Sequence, residues 1–215
     1  MKELVFEGLK KIGIPDYKEK AELLGLYIDE LLFFNPSLKL IGDKEEKDIV
    51  VRHILDCASG YDCFQRYTKP GDTIADLGSG SGLPGIVLAI LLGDRNFVLV
   101  ERMQRRVGFL RGVVAKLKLG NARIEDKDIK DIRESYNALT CRAFHPLSDI
   151  AKDCVKLLCP SGYSLMYKGQ RKSVESELKD LEEKGFSFEA MLEEISVPYL
   201  KEERVMCVLS GWRIK

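Results

Sequence analysis

The sequence predicts an α/β protein with a doubly wound, mostly parallel sheet and a helical segment in front of it. Between residues 73 and 167, short apolar runs alternate with segments of helical periodicity, a pattern typical of parallel strands joined by right-handed crossovers. A glycine-rich segment follows the first apolar run directly. Near the C-terminus, two strand-like runs have no helix between them, which predicts an antiparallel pair at one sheet edge. Together these observations predict a Rossmann-like sheet with an antiparallel C-terminal edge strand.

The first 70 residues are predicted to be helical. Tyr17–Phe34 carries one apolar stripe at helical spacing, and we expect Asn35-Pro36-Ser37 to end this helix. The stripe consists of Leu23, Leu24, Tyr27, Ile28, Leu31 and Leu32. A second helix is predicted from Glu45 to Phe64. The turn sequence Lys69–Asp72 divides the chain into an N-terminal helical extension, residues 1–70, and a second domain, residues 71–215.

The region after the turn supplies the sheet and its helices. The predicted strands are Thr73–Leu77, Phe97–Val100, Ala122–Glu125, Ala138–Cys141, Tyr163–Tyr167, Phe186–Val197 and Arg204–Trp212. The predicted helices are Pro84–Leu92, Arg105–Leu117 and Leu147–Leu158. Strand propensity and turn residues set these limits.

The composition is that of an ordinary globular protein. Of 215 residues, 45% are hydrophobic, and no apolar tract reaches the roughly 18 residues of a membrane span. No secretory signal precedes the helices, so we expect a cytoplasmic protein. Six cysteines without a close pair, and only two histidines, predict free thiols and no metal site. With 34 basic and 34 acidic residues, a nucleic-acid site has to be a local patch.

The clearest local feature is a glycine ladder between the first predicted strand and the next helix. From Ile74 to Gly85 the sequence is IADLGSGSGLPG. Glycines permit positive φ and let a ligand lie against the backbone, and the helix start presents free N–H groups. Doubly wound sheets bind ligands beyond the carboxyl ends of their strands. The segment therefore predicts a ligand site, in preference to a turn without a ligand.

Two ligand classes fit this loop. Gly80, Gly82 and Gly85 match the dinucleotide pattern G-x-G-x-x-G, so NAD is a competitor. Asp76, two residues before the first glycine, favours S-adenosylmethionine, because a carboxylate there attracts a sulfonium and an α-ammonium group. The C-terminal antiparallel pair also suits a methyltransferase sheet better than a dehydrogenase sheet. Glu101 ends the second strand and is predicted to accept hydrogen bonds from both ribose hydroxyls of either ligand.

The adenine ring of the ligand is expected near the end of the third strand. Ile129 offers an apolar face there, and Asp128 and the backbone can bond the exocyclic amine. Because the segment Lys127–Lys130 is charged, an ordinary surface turn is an equal alternative.

Further motifs occur in a fixed order along the chain. They are NPSLKLI (Asn35–Ile41), RHILD (Arg52–Asp56), the loop Asp76–Gly85, RRVGFL (Arg105–Leu110), CRAF (Cys141–Phe144) and KGQ (Lys168–Gln170). In this order they resemble the glucose-inhibited division protein B family, the bacterial guanine-N7 methyltransferases of small-subunit ribosomal RNA. The glycine loop alone would indicate only a methyltransferase.

This resemblance implies a class I methyltransferase sheet, S-adenosyl-L-methionine as the cofactor, and 16S ribosomal RNA of the 30S subunit as the partner. We expect a monomer with no membrane partner. The cofactor contacts that the resemblance implies are Gly78, Leu83, Ile129, Lys130 and Arg142. The sequence departs from the family at Asn137, where the family usually has an acidic residue, and this weakens any role for a carboxylate there.

The residues after the fourth strand are the candidates for substrate contact. Arg142, the candidate catalytic residue, is predicted to donate to guanine O6 or to the cofactor carboxylate. Phe144 and Tyr167 are candidates for stacking on a flipped base, with ordinary packing as the alternative. Arg52 and His53 are further candidate contacts, with a capped helix residue as the alternative for His53.

A basic segment is the candidate RNA surface. It contains Arg102, Arg105, Arg106, Arg111, Lys116 and Lys118. Arg105 and Arg106 stand at a helix start, where helix polarity disfavours cations, and this favours a role in phosphate binding over a solvated face. Lys168, in the KGQ motif, is also assigned to the RNA side.

Guanine N7 has a lone pair and no proton to lose, so its methylation needs positioning rather than a general base. The sequence agrees, because it contains no acid–base constellation and no Asn/Asp-Pro-Pro-aromatic tetrad. Cys141 as a nucleophile toward a pyrimidine is the covalent alternative, and a buried strand cysteine is the commoner case. Two other functions stay open: an NAD-dependent oxidoreductase, and a catalytically silent RNA-binding module on a methyltransferase fold.

Overall fold

The computed structural model describes residues 1–43, 45–142 and 146–214. Helices fill the N-terminal part. They are α1 (Lys2–Ile12), α2 (Tyr17–Leu38), α3 (Glu46–Asp48), a π-helix (Ile49–Leu55), α4 (Asp56–Ala58) and α5 (Tyr61–Tyr67). The predicted stripe of α2 faces inward, and its members Leu24, Tyr27, Ile28 and Leu31 are fully buried.

Two predicted helix limits in this region are wrong. Helix α2 continues through Pro36 and ends where Lys39 takes a left-handed conformation, φ 50°, and donates its N–H to the Asn35 carbonyl. The predicted helix from Glu45 to Phe64 changes into a π-helix and is then broken by a turn at residues 59–60. A π-helix shifts the backbone hydrogen-bond register by one residue, which apolar periodicity does not reveal.

Among the described residues, the sheet has seven strands in the order β3-β2-β1-β4-β5-β7-β6. They are β1 (Thr73–Leu77), β2 (Asn96–Val100), β3 (Ala122–Glu125), β4 (Tyr136–Arg142), β5 (Leu158–Lys168), β6 (Phe186–Glu194) and β7 (Val205–Ile214). Strands β1 to β5 pair in parallel, and β7 runs antiparallel to both β5 and β6. This confirms the predicted doubly wound sheet with an antiparallel C-terminal pair at one edge.

In the described part of the chain, four α-helices connect these strands. They are α6 (Gly85–Leu91), α7 (Gln104–Lys116), α8 (Leu147–Leu157) and α9 (Arg171–Glu183). Helix α9 was not predicted, because its apolar positions are few and only Val174 and Leu181 are buried. Within the described residues, no helix is long and apolar enough to cross a membrane.

Two apolar clusters cover the two faces of the sheet. One contains buried side chains of α1, α2, α6 and α7 together with Ile74 and Phe97. The other is formed by α8, α9 and the opposite face of the strands, including Ala75 and Leu139. The N-terminal helices thus share one core with the sheet. The order of the strands reverses between β1 and β4, and the carboxyl ends of these two strands open the crevice where such sheets bind ligands.

Candidate functional site

The loop between β1 and α6 contains several glycines, and their steric surroundings differ. Gly78, Gly80 and Gly82 have φ of 68°, 59° and 91°, a region that other residues rarely adopt. A Cβ on Gly82 would lie 2.5 Å from Ile86 Cγ1, so this glycine is needed for packing. A Cβ on Gly80 would meet nothing closer than 3.7 Å. Of Gly80 and Gly82, only Gly80 thus has room for a Cβ, which would be in ordinary van der Waals contact with Gly78 O and Arg106 Nη1.

Asp76, at the end of β1, holds this loop by hydrogen bonds. Its Oδ2 accepts hydrogen bonds from Ser79 Oγ at 2.6 Å and from the Gly85 N–H at 3.0 Å. Its Oδ1 is buried and has no hydrogen-bond partner within the described parts of the chain. Burial raises the pKa of Asp76 to about 6, against the lowering effect of the two hydrogen bonds. One carboxylate oxygen is thus left for a further donor.

Glu101, at the end of β2, holds the other side of the loop. Its Oε2 accepts from the Gly80 N–H at 3.0 Å, and its Oε1 accepts from the Met103 N–H at 2.8 Å. The residue is only 5% exposed. Each carboxylate oxygen can accept a second hydrogen bond, so Glu101 can bind two hydroxyls while it fixes the loop.

A cavity of about 390 Å³ lies beside these residues, within the size range of small-molecule sites. Its lining includes five predicted cofactor residues: Gly78, Glu101, Asp128, Ile129 and Lys130. Sequence reasoning missed the wall supplied by α8, which consists of Asp149, Ile150 and Asp153. The available signal was the pair of acids four residues apart at the start of an amphipathic helix.

The predicted adenine end of the cavity is a short 3-10 turn, Ile129–Asp131. Asp128 caps this turn, because its Oδ1 accepts from the Lys130 N–H at 3.2 Å. Its Oδ2 accepts from Arg102 Nη1 at 3.1 Å. Ile129 is buried apart from the side that lines the cavity. Leu83 and Gly82 are buried under the loop and do not line this cavity.

Arg142, at the end of β4, is held by the π-helix and α4. Its Nη1 donates to the Arg52 carbonyl and to Asp56 Oδ2, both at 3.0 Å, and its Nη2 lies 2.8 Å from His53 Nδ1. Its Nε is buried without a partner among the described residues. Asp56 Oδ1 also accepts from Arg204 Nε at 3.0 Å. The structure thus brings Arg142, Arg52 and His53 together, outside the lining of the 390 Å³ cavity.

The neighbours of His53 determine which of its two ring nitrogens carries the proton. Arg142 can only donate, so His53 Nδ1 accepts and the Nε2–H donates to Asp43 Oδ2 at 2.8 Å. Burial and the charge of Arg142 lower the pKa of His53, against the raising effect of Asp43 and Asp56. The neutral ring therefore fits this site, and protonation would set two cations against each other.

This arrangement predicts a pH-dependent stability. Because the pKa of His53 is lower in the folded protein than its ordinary value, the unfolded chain binds more protons as the pH falls below about 6.5. The contribution of His53 is full above that pH and is lost below it. We expect the melting temperature of the parent protein to fall more steeply than that of His53→Gln between about pH 7 and pH 5. His145 is present in both proteins, so parallel curves would contradict this role of His53.

Two other predicted residues, Lys168 and Tyr167, and the family departure Asn137 have structural contacts. Lys168 Nζ donates to Glu177 Oε2 at 2.7 Å. The Tyr167 hydroxyl is buried and donates to the Cys57 carbonyl at 2.6 Å, which is packing rather than base stacking. Asn137 accepts from the Thr73 N–H at 2.9 Å, at the amino ends of the strands, away from the loop. Phe144 lies outside the described residues.

Cys141 does not have the surroundings of a nucleophile. It is buried in β4 next to Met166, and burial raises the pKa of its thiol to about 12. Reactive cysteines need a thiolate near neutral pH, so the covalent alternative is not supported. All six cysteines are free, and no group of three or more His, Cys, Asp and Glu side chains is arranged for a metal in the described part of the chain.

The basic segment around α7 is largely paired with acids. Arg102 pairs with Asp128, Arg111 with Asp126, and Lys116 with Glu30; Arg106 Nη1 lies 3.9 Å from Glu101 Oε2. Arg105 is exposed and has no ion pair within residues 1–43, 45–142 and 146–214. Of the two predicted phosphate contacts, Arg105 is thus free for an external anion, whereas Arg106 lines the cavity.

Comparison with solved structures identifies the type of sheet. The structure of TYW2 from P. horikoshii, in complex with MeSAdo, matches with a TM-score of 0.54 at 13% identity, over 71% of this chain and 61% of that one. The ribosomal protein L11 methylase from Lactobacillus delbrueckii matches with a TM-score of 0.55 at 13% identity, over 70% and 76%. At such low identities the likeness concerns the fold, and it confirms a class I methyltransferase sheet.

Comparison of sequences identifies the family. The model of the GidB family, described as rRNA small subunit methyltransferase G, matches residues 20–206. A ribosomal RNA small subunit methyltransferase G from Treponema denticola is 32% identical over 96% of this chain and 93% of its own length. One from Brachyspira hyodysenteriae is 36% identical over 82% and 84%. The chain therefore belongs to the GidB family of methyltransferases.

Proposed function

We propose that this protein transfers the methyl group of S-adenosylmethionine to N7 of a guanine in 16S ribosomal RNA. The observation that carries the proposal is the cavity at the carboxyl ends of the strands, bordered by Gly78 and Glu101 in a chain of the GidB family. Its relatives are named as methyltransferases of small-subunit ribosomal RNA. The protein acts as a monomer in the cytoplasm, with the cofactor site in residues 71–215 and a helical extension in residues 1–70.

Two buried polar atoms without partners support this cofactor. Asp76 Oδ1 and Arg142 Nε stand at the ends of β1 and β4, which are neighbours in the sheet. One can accept from an ammonium group and the other can donate to a carboxylate, and buried groups of this kind are rarely left unpaired. The amino-acid end of S-adenosylmethionine has both charges, whereas NAD has no ammonium group. Glu101 would bind the ribose, and Ile129 and Asp128 the adenine.

The chemistry that the cofactor supplies is an electrophilic methyl group on a sulfonium. The protein supplies orientation and a dry site, because N7 has no proton that a base would have to remove. Arg142 Nη2 has a second hydrogen besides the one that it donates to His53, and this donor can hold guanine O6 and leave N7 free. The buried Cys141 offers no reactive thiolate, and family membership favours methyl transfer over hydride transfer and over a silent RNA-binding module.

The direct test is incorporation of tritiated methyl groups into 30S subunits and into naked 16S ribosomal RNA. We expect label in at least one of them, and strand cleavage specific for 7-methylguanosine at the labelled position. Label on another base, with none on guanine N7, would contradict the N7 assignment. Lack of label in both substrates, by a protein that binds S-adenosylhomocysteine, would favour the silent module.

Glu101→Gln tests the ribose contact. An amide offers one acceptor instead of two and no charge, so we expect S-adenosylhomocysteine to bind more weakly by about 1–3 kcal/mol. Glu125→Gln is the matched control, because Glu125 ends the adjacent strand β3, pairs with Arg123 and Lys127, and does not itself line the cavity. Calorimetric titration measures both variants. Equal dissociation constants for Glu101→Gln and the parent would remove Glu101 from the site.

Arg105→Ala tests the RNA surface. We expect weaker RNA binding and a salt dependence flatter by about one unit of slope, because one phosphate contact is lost. Arg111→Ala on the same helix is the control, since Arg111 is already paired with Asp126 and should change the slope less. Cofactor affinity should stay the same in both variants. A slope identical to that of the parent would place Arg105 on a solvated face.

A further inference from the structure

A side chain of the N-terminal helices reaches the glycine loop. The Tyr27 hydroxyl, from α2, donates to the Ser81 carbonyl at 2.7 Å. Tyr27 is fully buried, and Ser81 is 8% exposed. Ser81 stands between Gly80 and Gly82, the two glycines with positive φ in the middle of the loop. The hydrogen bond thus holds the loop between these two glycines.

The other tethers of the loop come from the sheet. Asp76 binds Ser79 and Gly85, and Glu101 binds Gly80. Tyr27 adds a hydrogen bond to the loop from helix α2, and it lies 54 residues before Ser81 in the sequence. Since the hydroxyl belongs to a ring that α2 already packs in the core, its position is fixed before any ligand arrives.

We propose that Tyr27 is a positioning residue for the cofactor, and that α2 is therefore a functional part of the cofactor site. The inference rests on the proposed function. Without the hydroxyl, the Ser81 carbonyl is left buried and unpaired, which is costly. The loop then relaxes toward conformations in which the carbonyl meets water. Only the fraction of molecules with the ordered loop binds cofactor at full strength, so the apparent affinity falls.

Tyr27→Phe isolates the hydroxyl, because the ring remains. We expect S-adenosylhomocysteine to bind about 5–30-fold more weakly, as for the loss of one buried hydrogen bond. Tyr167→Phe is the matched control: its buried hydroxyl also donates to a carbonyl, that of Cys57, away from the loop. Both variants should melt at lower temperature than the parent, and only Tyr27→Phe should lose cofactor affinity.

Two further measurements make the outcome decisive. Amide hydrogen exchange of the loop in the free protein should rise in Tyr27→Phe and not in Tyr167→Phe. Replacement of Tyr27 by 4-aminophenylalanine, which restores a donor at the same place, should restore binding. Parent-like affinity in Tyr27→Phe, an equal loss in Tyr167→Phe, or no rescue by the amine would overturn the inference. A parent protein that does not bind S-adenosylhomocysteine would instead overturn the proposed function.

Discussion

Gly80→Val should abolish measurable binding of S-adenosylhomocysteine while the chain stays folded. Gly80 has φ of 59°, and a valine there costs strain of about 1–3 kcal/mol. A Cβ on Gly80 would contact Gly78 and Arg106, both of which line the cavity. The valine side chain would occupy the volume that the ligand needs, and strain would turn the loop away from Glu101. Calorimetric titration at millimolar ligand measures the loss.

Backbone strain and blocked space can be separated by a second glycine. Gly185, between α9 and β6, has φ of 84°, and a Cβ there would meet nothing within 4 Å. Gly185→Val therefore has comparable strain far from the loop and should bind cofactor like the parent. Gly80→Asn, which tolerates the left-handed region, should retain more affinity than Gly80→Val if strain contributes. Undiminished binding by Gly80→Val would show that the ligand does not approach this loop.

The fold was predictable because its signals are local. Strands β1 and β2 are short, largely apolar runs, and the predicted limits of β1 and β3 agree with the structure residue by residue. Helix ends and helix type were less predictable. Pro36 lies inside α2, and the helix around Arg52 is a π-helix, and apolar periodicity indicates neither. Helix α9 buries too few residues to leave a periodic signal.

Site residues were predictable from the sequence only where a short local pattern identifies them. The glycine loop follows strand β1, and Glu101 stands at the end of strand β2. Both features are recognisable in the sequence, and both border the same crevice. The partners of Arg142 lie 86 to 90 residues away, and the contact of Tyr27 spans 54. A single sequence gives no sign of such pairings. Arg52 and His53, which were predicted to contact RNA, and Asp56 of the same RHILD motif supply the carbonyl, ring and carboxylate that hold Arg142.

This network makes Arg142 the residue with the largest expected effect on rate. Arg142→Ala should lower the single-turnover rate of methyl transfer by about a hundredfold or more, since a displacement of about 1 Å at the reacting groups has that effect. Arg204→Ala is the matched control. It removes the other arginine bound to Asp56 and leaves the same carboxylate with one partner. A similar rate loss in both variants would assign the effect of Arg142 to the framework rather than to substrate or cofactor.

The same experiment distinguishes N7 methylation from covalent catalysis. Since N7 has no proton to lose, the single-turnover rate should vary little between about pH 6.5 and 9. Asp76, with a pKa of about 6, and His53, with its lowered pKa, both titrate below this range. Cys141→Ser should keep most of its activity, because the buried thiol has a pKa of about 12 and forms no adduct. If Cys141→Ser instead folds, binds cofactor and is inactive, the target is a pyrimidine carbon that needs a thiolate for attack, and the assignment to guanine N7 is wrong.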